Sequence, residues 1–206
     1  MSEYLEYLRV ISALPPAIES IARIISSIRN KLKEEERARV DDILKEIAKM
    51  RNVVEMLRSL GLVIQDYTEL IYITHRLDDL ADRVIKNEIR FCREIKDKEV
   101  VKKLLSTHIE DLCRESNSLP VFFEKPRRIL DKDRGKIETL TKVARDSLFS
   151  SQGLVKSSEP TLSDTDYEKI EAYLKSAADK IKDILDTSNQ TVDNSISILV
   201  NLSFQA

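Results

Sequence analysis

The feature that most restricts the fold of this 206-residue chain is its shortage of chain breakers: it has only 3 Gly and 5 Pro. A many-stranded sheet needs frequent tight turns, and Gly and Pro are the residues that make them. Between the few breakers run long segments of Leu, Ile, Lys, Glu, Asp and Arg, the composition of long helices. An all-α protein is expected. With 42% hydrophobic residues, a chain of this length can bury a real core.

Breakers and caps set the expected elements. A first helix runs to about Leu32, with Pro15-Pro16 interrupting or kinking it. A second runs from about Glu34 to Leu60 and ends before Gly61. A third covers about Val63 to Ile95, and a fourth Asp97 to about Asn117, where Asn117-Ser118-Leu119-Pro120 breaks it. A fifth occupies about Arg127 to Ser151, with Gly135 as a dividing point. The clusters Ser150-Ser151-Gln152-Gly153 and Ser157-Ser158-Glu159-Pro160 read as a linker. The last helix starts near Ser163 or Asp164, a good N-cap followed by acids in the first turn. It continues to about Leu202, with a weak point at Ser188-Asn189-Gln190. About six long helices joined by short loops are expected to pack as antiparallel bundles.

The third helix has apolar residues on two sides. Leu70, Ile73, Leu77, Leu80, Val84 and Phe91 fall on one line at steps of three and four, with Asn87 inside it. Ile71, Ile85 and Ile89 form a second line, on which Asp78 also falls. A helix apolar on two sides is usually central in a bundle. In the last helix a single stripe, Ile170, Leu174, Ala177, Ile181 and Ile184, faces away from Asp179, Asp183 and Asp186.

A shift of 97 residues lays Asp66–Lys86 over Ser163–Asp183. Ile73 then meets Ile170, Leu77 meets Leu174, Ala81-Asp82 meets Ala178-Asp179 and Val84 meets Ile181. The alignment points to two similar halves, 1–96 and 97–206, each of three helices and together one compact unit, with an acidic row on the third helix of each.

Charge and termini narrow the class further. The 34 basic residues are interspersed with 36 acidic ones for a formal net charge of −2, so no nucleic-acid partner is expected. Cys92 and Cys113 sit in helical patterns and read as reduced thiols of a cytosolic protein. The opening MSEYLEYLRV is acidic and unlike a signal peptide. No stretch approaches the roughly 20 apolar residues that span a bilayer; Ile196 to Phe204 is short and interrupted by Ser and Asn.

The chemistry-bearing stretch is LDDLADRV, residues 77–84. Asp78, Asp79 and Asp82 fit D-D-x-x-D, which chelates Mg²⁺ and diphosphate in isoprenoid synthases. Those enzymes need a second acidic motif across one cavity, and the shifted counterpart here is Lys175-Ser176-Ala177-Ala178-Asp179. A di-iron site needs Glu-x-x-His on two helices, yet Tyr72 and Leu105 stand three residues before His75 and His108. His75 and Asp79, four apart, can share a metal, although a lone helical His is more often a plain surface or core residue. There is no Ser-His-Asp or Cys-His arrangement and no Gly-rich phosphate loop. A non-enzymatic protein is expected. Asp78 and Asp82, one turn apart, can reach a single cation; the competing reading makes Asp79 and Asp82 a solvated face balanced by Arg83 and Lys86.

The run Asp66-Tyr67-Thr68-Glu69-Leu70-Ile71-Tyr72-Ile73-Thr74-His75-Arg76-Leu77-Asp78-Asp79-Leu80-Ala81-Asp82 resembles the third-helix signature of PhoU-like proteins. It is most similar to the single-chain branch that accompanies Pit-type phosphate transporters. In that branch an Asp begins the helix and a Leu-Asp-Asp-x-x-Asp row follows about a dozen residues later. The segment Tyr173 to Asp186 looks like the matching part of the second half, although Lys175 and Ser176 stand where the family pattern has acids. The resemblance implies two three-helix bundles in a pseudo-twofold arrangement, with divalent or iron metal ions held by Asp78, Asp79 and Asp82 and by Asp179, Asp183 and Asp186. Earlier helices of each half usually add acids; Asp42 with Glu46 and Asp131 with Glu138 are the loose substitutes here. It further implies a cytoplasmic regulator or accessory protein of phosphate transport that meets a membrane phosphate transporter at the inner face; whether the chain is also a homo-oligomer is left open by the sequence. The alternative class is a coiled-coil scaffold, since Arg37–Gln65 has the Lys/Glu-rich look of the helical-hairpin membrane-remodelling proteins of the ESCRT-III type. A third is a metal-dependent phosphohydrolase using the Asp78 row.

Overall fold

A computed structural model describes residues 2–95, 97–124, 128–158 and 161–203. All secondary structure among them is helical, with no strand. The elements are α1 (Ser2–Arg29), α2 (Glu34–Arg83), a π-helical turn (Val84–Glu88), α3 (Ile89–Glu94), α4 (Lys98–Ser116), α5 (Ser118–Glu124), α6 (Asp131–Ser157) and α7 (Asp164–Ser203). The chain divides into two compact units, residues 1–64 with 197–206, and residues 65–196. Helices α2 and α7 contribute to both.

The unit of residues 65–196 is an antiparallel four-helix bundle, formed by the C-terminal part of α2 with α3, then α4, α6 and α7. Pairings across each seam run in opposite chain directions. From α2 and the π turn to α4 they are Arg76–Glu115 at 2.7 Å and Glu88–His108 at 3.4 Å. From α4 to α6 they are Glu110–Lys156 at 3.1 Å and Asn117–Arg145 at 2.9 Å. From α6 to α7 they are Asp133–Thr191 at 2.8 Å and Ser147–Ser176 at 3.3 Å. Arg93 of α3 closes the ring on Glu171 of α7 at 2.8 Å. Inside, Ala81, Val84, Ile89, Cys92, Leu105, Ile109, Leu112, Leu148, Ile170, Leu174 and Ala177 form one continuous apolar cluster. The expected boundary at 96/97 falls inside this unit, between α3 and α4. Leu70, Leu77 and Val84 are buried, as are Tyr167, Leu174 and Ile181. The 97-residue shift therefore aligns two helices that face one core.

Caps hold the turns. Asp97 accepts from the backbone N–H of Glu99 and Val100, both at 3.2 Å, and starts α4. Ser163 and Asp166 cap α7 reciprocally. The Asp166 N–H donates to Ser163 Oγ at 3.2 Å, and the Ser163 N–H donates to Asp166 Oδ2 at 2.9 Å, the two-way bonding of a capping box.

In the other unit, α1 and the first part of α2 are joined by a fork-to-fork ion pair. Arg29 Nε lies 2.5 Å from Asp41 Oδ1 and Nη2 lies 3.0 Å from Oδ2. Val54, Val63, Ile64 and Leu199 are buried in this unit. Leu14, Ile21, Ile24 and Ile28 of α1 and Ile43, Met50 and Met56 of α2 are exposed.

Several expected breaks are absent. The helix expected to end before Gly61 runs on through it to Arg83, merging the expected second and third helices. Gly costs only about 1 kcal/mol relative to Ala inside a helix, less than buried Val54, Val63 and Ile64 recover by packing around it. Gly135 and Gly153 lie within α6, and α1 is helical across Pro15 and Pro16. The Ser150–Gly153 cluster and the Ser188–Gln190 weak point are helical, and their serine hydroxyls turn back on the helix. Ser150 donates to the Asp146 carbonyl at 2.7 Å, Ser151 to that of Leu148 at 2.7 Å and Ser188 to that of Ile184 at 2.8 Å. Such bonds let serine sit mid-helix without an unpaired hydroxyl. The break at Asn117–Pro120 and the one at Ser157–Ser158 are where they were expected; Glu159 and Pro160 lie outside the described residues, as do Arg127, where the fifth helix was expected to start, and Phe204.

The π turn overturns part of the expected core face. Steps of three and four from Val84 lead to Asn87 and Phe91. In the structure the Ile89 N–H bonds to the Val84 carbonyl, five residues back, so the turn takes in one extra residue. The core positions then advance from Val84 to Ile89 and Cys92, each 2% exposed, while Phe91 turns outward and is 54% exposed.

Candidate functional site

The first acidic row lies on the bundle segment of α2. Asp78 is half-buried and Asp79 and Asp82 are exposed. Burial, and next the Asp82 carboxylate one turn on, raise the Asp78 pKa above the ordinary carboxylate range; Lys182 on α7 pulls it down, Asp79 raises it and His75 lowers it. Asp82 is held by Lys86 at 2.5 Å, and Asp79 faces His75 Nδ1 at 3.3 Å. Asp78 therefore differs from its neighbours. Its charge is disfavoured by desolvation and by a like charge, the two conditions under which a carboxylate gains most from a cation.

The second row does not share that environment. Asp179, Asp183 and Asp186 are all exposed on α7, and Asp183 pairs with Lys180 at 3.1 Å. They face away from Ile170, Leu174, Ala177, Ile181 and Ile184, which are fully buried. The loose substitutes are locally paired too: Asp42 with Lys45 at 2.9 Å, Glu46 with Lys49 at 2.7 Å and Glu138 with Arg134 at 3.7 Å. Asp131 is exposed in the first turn of α6. Among the described residues no group of three or more His, Cys, Asp or Glu side chains converges as a metal cluster would. Asp78 and Asp82, four apart on α2, can offer a hard cation two carboxylates from one helix face, and such an ion takes its remaining ligands from water, as Mg²⁺ commonly does.

Asp66, the counterpart of the acid that begins the helix in the resembled family, sits in the middle of α2 and accepts from the Arg128 N–H at 2.8 Å. Next to it is a polar cluster that the sequence patterns did not single out. The Tyr67 hydroxyl donates to Asp133 Oδ2 at 2.7 Å, Thr191 Oγ1 donates to the same oxygen at 2.8 Å, and the Leu130 N–H donates to the Tyr67 oxygen at 3.2 Å. Tyr67, Asp133 and Thr191 are all buried. Burial, and next the bond to Asp133, push the Tyr67 pKa well above the ordinary phenol value. The only advance signal was an Asp in the first turn of a helix, which ordinarily marks dipole compensation. The thiols of Cys92 and Cys113 are free and buried. Burial raises both, that of Cys113 to about 11, so neither is poised as a nucleophile.

Among the described residues no helix is long and apolar enough to cross a membrane. Fold and site together define an all-α protein with a helical bundle on which a half-buried carboxylate, Asp78, stands one turn from an exposed one, Asp82. No family model matches the chain, and no curated protein or solved structure matches it.

Proposed function

We propose that the chain is a non-enzymatic regulator or accessory protein of phosphate transport, of the PhoU-like type, working at the inner face of the membrane against a phosphate transporter. The observation that carries this reading is the run from Asp66 to Asp82, whose order of acids resembles that family's third-helix signature. The half-buried position of Asp78 beside Asp82 supports it, because a paired carboxylate on a bundle face suits a regulatory cation. On this reading the halves 1–96 and 97–206 are copies of one three-helix unit. The ion is a hard divalent cation or iron, held chiefly by Asp78 and Asp82, with Asp79 and the Asp179, Asp183 and Asp186 row adding negative potential. The test is phosphate uptake in cells that lack the protein. Uptake should stop responding to external phosphate, and an unchanged response contradicts the reading.

A second reading is favoured by the long helical run from Glu34 to Glu94 and by the exposed rows Ile21, Ile24 and Ile28 on α1 and Ile43 and Met50 on α2. A self-assembling scaffold uses such faces, since an exposed apolar row gains by packing on another. Filaments forming on lipid vesicles from the purified chain would favour it.

A further inference from the structure

Between α5 and α6 lies a cavity of about 220 Å³, with Pro120 and Phe123 on the α5 side and Thr141, Lys142 and Arg145 on the α6 side. It is smaller than the roughly 300–1,000 Å³ of sites for drug-sized ligands. Two buried polar atoms on successive turns of α6 have no hydrogen-bond partner, Thr141 Oγ1 and Arg145 Nε, and both residues line this one cavity.

Thr141 is an exception among helical hydroxyls of the bundle. Thr107 donates to the Lys103 carbonyl at 3.0 Å, Thr139 to that of Gly135 at 2.7 Å and Thr187 to that of Asp183 at 2.7 Å. Thr141 is 5% exposed and makes no such bond. Arg145 is held from two other directions. Its Nη2 donates to Asn117 Oδ1 at 2.9 Å, and its guanidinium carbon stands 5.5 Å from the centre of the Phe149 ring. Both partners are uncharged. A partly buried cation with an unpaired N–H beside an unpaired buried hydroxyl is costly unless something accepts from them.

We propose that this cavity is a binding site for a small monocarboxylate. The ligand's oxygens accept hydrogen bonds from Thr141 Oγ1 and Arg145 Nε, and its apolar body rests on Phe123 and Pro120. Lys142 adds positive charge at the rim. Glu138 also lines the cavity but is paired with Arg134. Asp146 lines it as well, and its charge opposes a dianion more than a monoanion, which places inorganic phosphate behind a carboxylate.

The experiment titrates the full chain with sodium benzoate, sodium acetate and inorganic phosphate. It reads the melting temperature and the Arg145 Nε–H resonance. Benzoate should shift both saturably, acetate should bind about tenfold more weakly for want of the ring contact, and phosphate should bind more weakly than benzoate. Thr141→Val and Arg145→Gln should each weaken benzoate about tenfold or more. Without ligand, Thr141→Val should melt at or above the wild-type temperature, because it removes an unpaired buried hydroxyl. No saturable benzoate binding up to about 10 mM overturns the proposal. So does binding that both variants leave intact, or phosphate binding tighter than benzoate.

Discussion

The Tyr67 hydroxyl and Asp133 Oδ2 meet at 2.7 Å inside the bundle, joining residues 66 positions apart in the chain. The bond ties α2 to the first turn of α6, and Thr191 brings α7 to the same oxygen. Tyr67→Phe keeps the ring but removes a donor from Asp133 and the acceptor of the Leu130 N–H. A cost of about 1–3 kcal/mol is expected, the range for leaving buried polar groups short of partners. Urea unfolding of the two proteins at neutral pH measures it, and equal midpoints would contradict it.

The same residue predicts an alkaline limit. Its folded pKa is raised above 10, so as pH climbs past 10 the unfolded chain loses the Tyr67 proton while the folded chain keeps it. The unfolded state then binds fewer protons, and stability falls with rising pH. Tyr67→Phe should flatten that part of the stability–pH curve between about pH 10 and 12. An unchanged slope would show that other groups govern the alkaline loss.

Asp78 carries a linkage of the same sign, the reverse of the usual one for a carboxylate. Its pKa is raised on folding, so its ionised form is disfavoured in the bundle. The penalty is absent below the unfolded value of 3.8, appears as pH rises through the folded value, and is complete above it. Asp78→Asn should therefore stabilise the metal-free protein at pH 7, with the gain shrinking towards pH 3. A variant that melts lower than wild type at pH 7 in a chelating buffer would contradict this.

Added Mg²⁺ or Mn²⁺ should reverse the ranking. The cation raises the melting temperature of the wild type and leaves Asp78→Asn/Asp82→Asn unmoved, because binding to the folded state alone stabilises it. Equal shifts in both proteins would mean that the ion acts elsewhere.

The π turn predicts an inverted pair of core substitutions. Ile89→Ala should cost about 2–5 kcal/mol, as for other buried aliphatic truncations. Phe91→Ala should stay within about 0.5 kcal/mol, as for an exposed position. A register of threes and fours continued from Val84 puts Phe91 in the core and predicts a large cost for Phe91→Ala, so chemical unfolding of the two variants separates them.

That pair also shows what was legible in the sequence. The apolar stripe of α7 and its Ser163 start were readable because period and cap are local properties. The outward turn of Phe91 was not, since one extra residue in a turn leaves no mark on composition. Gly61 and the Ser150–Gly153 cluster were read as breaks because propensity counts against them, and packing around Val54, Val63 and Val155 outweighs a penalty of about 1 kcal/mol. Of the candidate acids, the exposed setting of Asp179, Asp183 and Asp186 follows from their place opposite the stripe. The burial of Asp133 depends on Tyr67 and Thr191, which are distant in sequence and close only once the bundle has formed.

Action on a phosphate transporter, as proposed, is tested most directly with the tagged 206-residue chain as bait in detergent-solubilised membranes of its own host, followed by identification of what it retains. Specific recovery of a phosphate permease, reduced by Asp78→Asn/Asp82→Asn, is expected. Recovery of no transporter, together with filaments of the chain on lipid vesicles, would contradict it.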